Sequence, residues 1–114
     1  MTPFLAYATF LQKGMLNVNG LLEFLVLKII SGREVYVADI LSDLSKTDFK
    51  TQEGSLYPLL SRQRREGLLD YEWRESEAGP PRKYYRLTEK GKQHLADLHA
   101  HWIHINNTIN LLGN

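Results

Sequence analysis

The sequence contains no cysteine among its 114 residues, which excludes disulfide bonds and thiolate metal sites and fits a reducing cytoplasm. It also has almost no excess of charge, because 14 Lys and Arg residues against 13 Asp and Glu residues leave a net charge of +1. A balance this close to neutral neither supports nor excludes nucleic-acid binding, since the clustering of basic residues decides it. At this length one domain can bury a core without covalent support.

A long apolar run is missing as well. The apolar N-terminal segment is broken at Gln12–Gly14, short of the roughly 18–20 residues that a membrane span requires. It also lacks the basic leader and the small-residue cleavage site of a signal peptide. We therefore predict a soluble, cytoplasmic protein without membrane contact. Thr2 and Pro3 form a helix start, and the spacing of apolar residues predicts an amphipathic helix over residues 1–18.

Three further helices are predicted before Gly67. Residues 21–30 are apolar on nearly every side, as in a helix buried at the centre of a small domain. Residues 37–44 carry a single apolar stripe. Thr51 is the predicted cap of the next helix, which ends at Gly67. The inward face of that helix consists of Leu56, Leu59 and Leu60.

The period of the apolar residues then changes to two, which predicts a β-hairpin. Leu69, Tyr71 and Trp73 alternate with charged residues and are expected to form the inward side of a half-buried strand. Residues 78–81 (AGPP) are predicted to form the turn, because two prolines are not expected inside a paired strand. Residues 83–87 are the predicted return strand.

The last helix, from its predicted cap Thr88 to about Leu112, carries a second apolar pattern. Six residues are spaced 3, 4, 3, 4 and 3 apart, which is a heptad seam that packs lengthwise against another helix. They are Leu95, Leu98, Trp102, Ile105, Ile109 and Leu112. An amphipathic helix lying on its own domain is the alternative, but a helix this long would project beyond so small a domain. We therefore predict that the seam forms a homodimer interface.

No constellation in the sequence resembles a catalytic site. It has no Gly-rich phosphate loop after a strand, no cysteine nucleophile and no serine in a nucleophile-elbow setting. All four histidines lie in the last helix, and the spacing of His101 and His104 is compatible with a surface metal site. Packing or solvent exposure is the commoner role of such histidines. We predict that the protein is not an enzyme and has no metal site or cofactor.

Basic and polar residues cluster on the helix over residues 52–66 and on the hairpin. With the leucines turned inward, the centre of the outer face consists of Gly54, Pro58, Ser61 and Arg65. The side chains suited to phosphate oxygens and guanine edges are Ser55, Tyr57, Arg62 and Arg65. Arg82 and Lys83 add positive charge from the return strand, so that helix and strand together can neutralise several phosphates. For the helix alone, a solvated basic face is an equal alternative.

This region resembles the PadR family of bacterial transcriptional regulators. The similar segments are GSLYP at 54–58, EGL at 66–68 and GPPRKYYRLTEKG at 79–91. Residues 20–23 and 26–31 resemble the first core helix of the family. Trp102 matches a tryptophan that is common in the last helix of its short members.

The resemblance implies a homodimeric winged-helix repressor that binds a palindromic operator and dimerises through its last helix. In some short members planar aromatic or cationic molecules bind between the subunits, which implies an effector slot at Trp102 and Leu98. Simple packing within the seam is the alternative role of Trp102. Tyr36 is retained where the family approaches DNA with its second winged-helix helix, but the glycine and tyrosine usual after it are absent. Residues 62–65 (RQRR) replace an apolar and an acidic residue of the family, a change expected to strengthen phosphate contact.

The predicted fold class is α+β and mostly α: a winged helix-turn-helix with an extra N-terminal helix and a long C-terminal dimerisation helix. The predicted divisions are residues 1–18, 19–88 and 89–114. The predicted function is sequence-specific DNA binding by a homodimeric repressor that a small molecule releases. The competing hypothesis is a winged helix that binds an acidic protein partner through its basic hairpin, without specific DNA binding.

Overall fold

The computed structural model describes residues 18–113, which form four helices and one β-hairpin. In chain order they are α1 (Val18–Gly32), α2 (Val37–Ser45), α3 (Glu53–Arg65), β1 (Leu69–Ser76), β2 (Gly79–Leu87) and α4 (Glu89–Leu112). This mostly helical arrangement with a two-stranded antiparallel wing confirms the predicted fold class. The predicted helix over residues 1–18 lies outside the described residues, except for Val18, where α1 begins.

The core lies where the first three helices meet the base of the wing. Val26 and Ile30 of α1 are buried there together with apolar residues of α2 and α3. Val35, in the loop before α2, exchanges two backbone hydrogen bonds with Tyr85 of β2, at 3.3 and 2.7 Å. These bonds fix the wing against the helices. Burial raises the pKa of the Tyr85 phenol, which is therefore neutral at physiological pH.

The start of α3 differs from the prediction by one residue. Gln52 is the cap, because its carbonyl oxygen accepts the first helical hydrogen bonds from the N–H groups of Ser55 and Leu56, at 3.0 and 3.1 Å. The prediction that Thr51 caps this helix is therefore wrong. Thr51 precedes the cap, so its hydroxyl is not at the position from which a cap bonds the first turn.

The end of α3 confirms the predicted role of Gly67. This residue has a φ of 80°, a left-handed conformation that costs glycine nothing and other residues more. The N–H groups of Gly67 and Leu68 donate to the carbonyl oxygens of Arg64 and Gln63, both at 2.9 Å. This pair of reversed hydrogen bonds is a Schellman motif, which ends the helix and turns the chain into β1.

The wing turns earlier than predicted. The turn consists of residues 77 and 78, and both Pro80 and Pro81 lie inside β2. The strand ladder is bulged here, so that the two prolines oppose the single residue Glu75. Their missing N–H groups are tolerated because a bulge interrupts the ladder and each strand of a two-stranded ribbon is also an edge. The prediction of a turn over residues 78–81 is therefore wrong.

The junction between wing and α4 is closely packed. Thr88 caps α4 as predicted, since its Oγ1 accepts a hydrogen bond from the N–H group of Gly91 at 3.0 Å. The same hydroxyl donates to the carbonyl oxygen of Gly67 at 2.5 Å. The backbone N–H group of Thr88 donates to the carbonyl oxygen of Leu68 at 3.1 Å. Gly91 lies directly over that carbonyl, where a Cβ atom would be 2.0 Å from the oxygen.

The apolar seam of α4 divides into two halves. In the first half, Leu98 is only 1% exposed within the core, and Trp102 stacks on Phe24 of α1 with ring centroids 6.1 Å apart. In the second half, Ile109 and Leu112 are 59% and 81% exposed. Contacts of Leu98 with a partner subunit and with an effector stay predictions. Its side chain is already covered by its own chain, because α1 packs along the first half of α4.

Candidate nucleic-acid interface

The outer face of α3 is exposed as predicted. Gly54, Pro58, Ser61 and Arg65 all lie at the surface, and Ser55 lies beside them. Pro58 has no N–H group with which to bond the carbonyl oxygen of Gly54, and no atom lies within 4 Å of the position that a Cβ of Gly54 would occupy. The backbone of this turn is therefore open to close approach by a ligand.

A concave surface joins α3 to the wing. We call it the wing cleft; it has a volume of about 480 Å³, and its main side chains are Tyr36, Tyr57, Trp73, Arg82 and Lys83. The first residues of α2 and α3 also line it. The N-terminus of a helix carries partial positive charge and unpaired N–H groups, which favour anions. The cleft thus combines aromatic faces, two cations, the carboxylate of Glu53 and two helix N-termini.

The two cations of the wing cleft rest on aromatic rings. The guanidinium of Arg82 lies over the ring of Tyr36, with its central carbon 4.5 Å from the ring centroid. The ammonium of Lys83 lies 4.6 Å from the ring centroid of Tyr71 and 5.3 Å from that of Trp73. Among residues 18–113, neither cation forms an ion pair with a carboxylate. Both charges therefore remain available to an anionic partner.

The other two arginines of the wing are neutralised by neighbouring carboxylates. Arg74 bonds to Glu34 and, through its Nε at 2.7 Å, to Glu72, and the hydrogen bond to Glu72 is the main reason that the pKa of Arg74 is raised. Arg86 pairs with Asp70 at 3.3 Å and with Glu72 at 3.9 Å. In the wing, Arg82 and Lys83 are therefore available to an anionic partner, whereas carboxylates already neutralise Arg74 and Arg86.

Arg62 is separated from the other predicted DNA-binding residues. Its guanidinium bonds to Glu23 of α1 and lies 4.0 Å from a carboxylate oxygen of Glu66. The neighbouring Gln63 is 2% exposed, so it cannot reach a phosphate. The prediction that the RQRR segment strengthens phosphate contact is therefore wrong at Gln63 and weakened at Arg62. In the same segment, the exposed Arg65 forms no ion pair within the described part of the chain.

Trp73 belongs to the wing cleft, although the sequence pattern predicts it to be an inward residue. It pairs with Lys83 across the strands and is 62% exposed. The inward side of the wing is covered near Leu69 and Tyr71 but uncovered further out, because the hairpin extends past the helices. Alternation alone indicates which side a residue lies on and carries no information about where the cover ends.

Within residues 18–113, no three His, Asp or Glu side chains are arranged to hold a metal ion. In the same range, no helix has the length and the apolar content of a membrane-spanning helix.

Trp102, the predicted effector-binding residue, is not among the residues that line the wing cleft and is half-buried against Phe24.

Comparison with known proteins supports the resemblance noted from the motifs. The profile of the transcriptional regulator PadR-like family matches residues 26–97. A PadR-like transcription factor from Bacteroides fragilis is 42% identical, covers 82% of this chain and 91% of its own, and superposes with a TM-score of 0.75. A PadR-like transcriptional regulator from Bacillus cereus is 39% identical, covers 85% of this chain and 96% of its own, and has a TM-score of 0.77.

A more distant relative has a structure that includes DNA. PadR from Bacillus subtilis, whose structure was solved with operator DNA, is 25% identical over 67% of this chain and 45% of its own, with a TM-score of 0.62. The profile match spans more than half of the chain, and the identity to the first two regulators extends over most of both molecules. The chain therefore belongs to the PadR-like family of transcriptional regulators.

Proposed function

We propose that this protein is a cytoplasmic, sequence-specific DNA-binding repressor that acts as a homodimer on a palindromic operator and is released by a small molecule. The observation that carries the DNA part is the wing cleft, where Arg82 and Lys83 form no ion pair with any carboxylate of residues 18–113 and lie beside the open face of α3. Operator binding by the relative from Bacillus subtilis supports the same interpretation.

In this proposal α3 lies in the major groove. Ser55, Tyr57 and Arg65 face the base edges and phosphates, while Arg82 and Lys83 hold the flanking backbone. Tyr36 contributes through the ring that supports Arg82. Arg62 contributes less, because carboxylates already neutralise it. Two such helices in a dimer would enter successive major grooves, so we expect half-sites about one helical turn apart.

The proposal is tested by a fluorescence-anisotropy titration of the full chain against its own upstream DNA and a scrambled duplex, at two salt concentrations. Tight binding of two chains to the native sequence, with steep salt dependence, is the expected result. Equal and weak binding to both duplexes would contradict it. That outcome would favour the alternative of a protein-binding winged helix, for which the exposed Trp73 offers an apolar anchor.

Arg65→Ala is expected to weaken operator binding about tenfold without unfolding the protein, because this exposed side chain forms no ion pair in residues 18–113 and a charge-assisted contact is worth about 1.5–3 kcal/mol. The measurement is operator affinity at matched salt, with helical content followed by circular dichroism. Arg62→Ala is the matched control on the same helix and should lose less. Unchanged affinity of Arg65→Ala would remove this residue from the interface.

The homodimer is proposed to form through the uncovered half of α4. We expect the double substitution Ile109→Glu and Leu112→Glu to dissociate it, because two carboxylates would replace two exposed apolar seam residues. Sedimentation equilibrium measures the mass before and after. Asn107→Glu adds charge to the other side of the same helix and should leave the dimer intact. A wild-type protein that sediments as a monomer would contradict the proposal.

The effector is proposed to be a planar aromatic or cationic molecule that stacks at Trp102 between the subunits. Trp102 is half-buried, and Phe24 already covers one part of its ring system, so that a flat molecule would extend an existing stack. In a Trp73→Phe background, planar cationic dyes are expected to quench the remaining tryptophan fluorescence saturably. Quenching that rises linearly with dye concentration would indicate collisions only and favour simple packing as the role of Trp102.

A further inference from the structure

A second cavity lies on the side of α3 that faces α1 and α4. It has a volume of about 290 Å³, and we call it the α3 pocket. Its walls include Glu23 and Leu27 of α1, Gln63 of α3, and Glu66 and Leu68 beyond it. Arg62 closes one side, and His94 of α4 also lines it. The volume lies just below the roughly 300–1,000 Å³ found for ligand pockets.

Gln63, which lines this pocket, carries a buried oxygen that has no hydrogen-bond partner among the described residues. Its side chain is 2% exposed, and its Nε2 donates to the backbone carbonyl of Glu23 at 3.2 Å, which fixes the orientation of the amide. Its Oε1 is buried and accepts no hydrogen bond from any described residue. Buried carbonyl oxygens are rarely left without a donor, so one is expected to enter the pocket.

The charges around the pocket do not balance. The carboxylates of Glu23 and Glu66 share the single guanidinium of Arg62, which bonds to the first and lies 4.0 Å from the second. Among the described lining residues, and leaving aside the imidazole of His94, two carboxylates and one guanidinium give a net charge of −1. Two other lining residues, Leu27 and Leu68, are apolar. The pocket therefore complements a positive group on a compact apolar body.

We propose that the α3 pocket binds a small organic cation whose N–H groups donate to Gln63 Oε1 and to the carboxylates. An amidine or a primary amine on a ring of about six carbon atoms has this chemistry and fits the volume. The site differs from the slot at Trp102 because it lies within one chain and needs no partner subunit. Its existence does not rest on the proposed function, but bound cation would compete with Arg62 and thereby act on α3.

Isothermal titration of the full chain with benzamidine, its neutral analogue benzamide and its anionic analogue benzoate tests the charge requirement. Benzamidine is expected to bind one site per chain, benzamide about tenfold more weakly, and benzoate not at all. If only water occupies the pocket, the titration with benzamidine will show no heat of binding. This result would overturn the proposal. Equal binding of benzamide and benzamidine would overturn the role of the carboxylates.

Two substitutions locate the site. Gln63→Leu removes the unpaired carbonyl but keeps a buried side chain of similar size, so the fold should be retained and benzamidine binding lost. Glu23→Gln keeps the shape and removes one charge, and should weaken benzamidine about tenfold. Glu77→Gln removes a carboxylate from the exposed turn of the wing, which lines neither cavity; it is the matched control and should leave binding unchanged. Loss of binding in Glu77→Gln together with normal binding in Gln63→Leu would overturn the assignment.

Discussion

Gly91→Ala is expected to lower the free energy of unfolding by about 3 kcal/mol. This is the largest stability effect that we predict for a substitution that adds one methyl group. The Cβ atom would lie 2.0 Å from the carbonyl oxygen of Leu68, and 3.0 Å from its carbon. Both atoms belong to the backbone, so no side-chain rotation can relieve the overlap. The first turn of α4 would have to move away from the wing, which would stretch the hydrogen bond from Thr88 to Leu68.

Thermal unfolding at a fixed protein concentration measures this effect, and the midpoint should fall by roughly 10–15 °C. Gly32→Ala is the matched control, because no atom lies within 4 Å of its Cβ position, and it should be neutral or slightly stabilising. Gly67→Ala should cost about 1 kcal/mol, since its φ of 80° strains alanine although space is available. An unfolding midpoint of Gly91→Ala equal to that of Gly32→Ala would show that the junction is not closely packed.

The parts of the fold that depend on local signals were predictable from the sequence. Helix periodicity, the threonine cap at Thr88 and the left-handed stop at Gly67 depend on residues within a few positions, and the structure confirms each of them within residues 18–113. The family motifs add the order of the elements and the class of the fold. They do not explain why Gly91 is a glycine, because the carbonyl that it contacts is 23 positions away in the chain.

Apart from the cap of α3, which is Gln52 and not Thr51, the differences from the predictions concern contacts between distant residues. The seam of α4 has the same spacing whether a helix of the same chain or of another chain covers it, and α1 covers Leu98. Arg62 appears available in the sequence, but its partner Glu23 lies 39 positions earlier. The position of the wing's turn depends on whether a proline opposes a bulge, which only the pairing of both strands reveals. The packing therefore adds Trp73 to the candidate site and reduces the contribution that is expected of Arg62.

The double substitution Arg82→Ala and Lys83→Ala is expected to reduce operator affinity about 100-fold at moderate salt, because it removes two charge-assisted phosphate contacts. The slope of log affinity against log salt concentration should fall by about 2, one for each lost phosphate contact. Both side chains are held over aromatic rings of the wing cleft and form no ion pairs within the described residues. Anisotropy titrations over a range of salt concentrations measure both quantities.

The loss of two positive charges could by itself weaken binding to DNA. The wing provides a control variant that lowers the net charge by the same amount. The double substitution Arg74→Ala and Arg86→Ala also deletes two positive charges, one from each strand. These two arginines are already paired with Glu34, Asp70 and Glu72. We expect this variant to lose less than about fivefold in affinity and to keep the wild-type salt slope, because exposed ion pairs contribute little. If both double variants lost the same affinity and slope, the wing would act through its total charge. A larger loss in the first variant would instead assign the contact to the wing cleft, where two cations that form no ion pair within residues 18–113 lie beside α3.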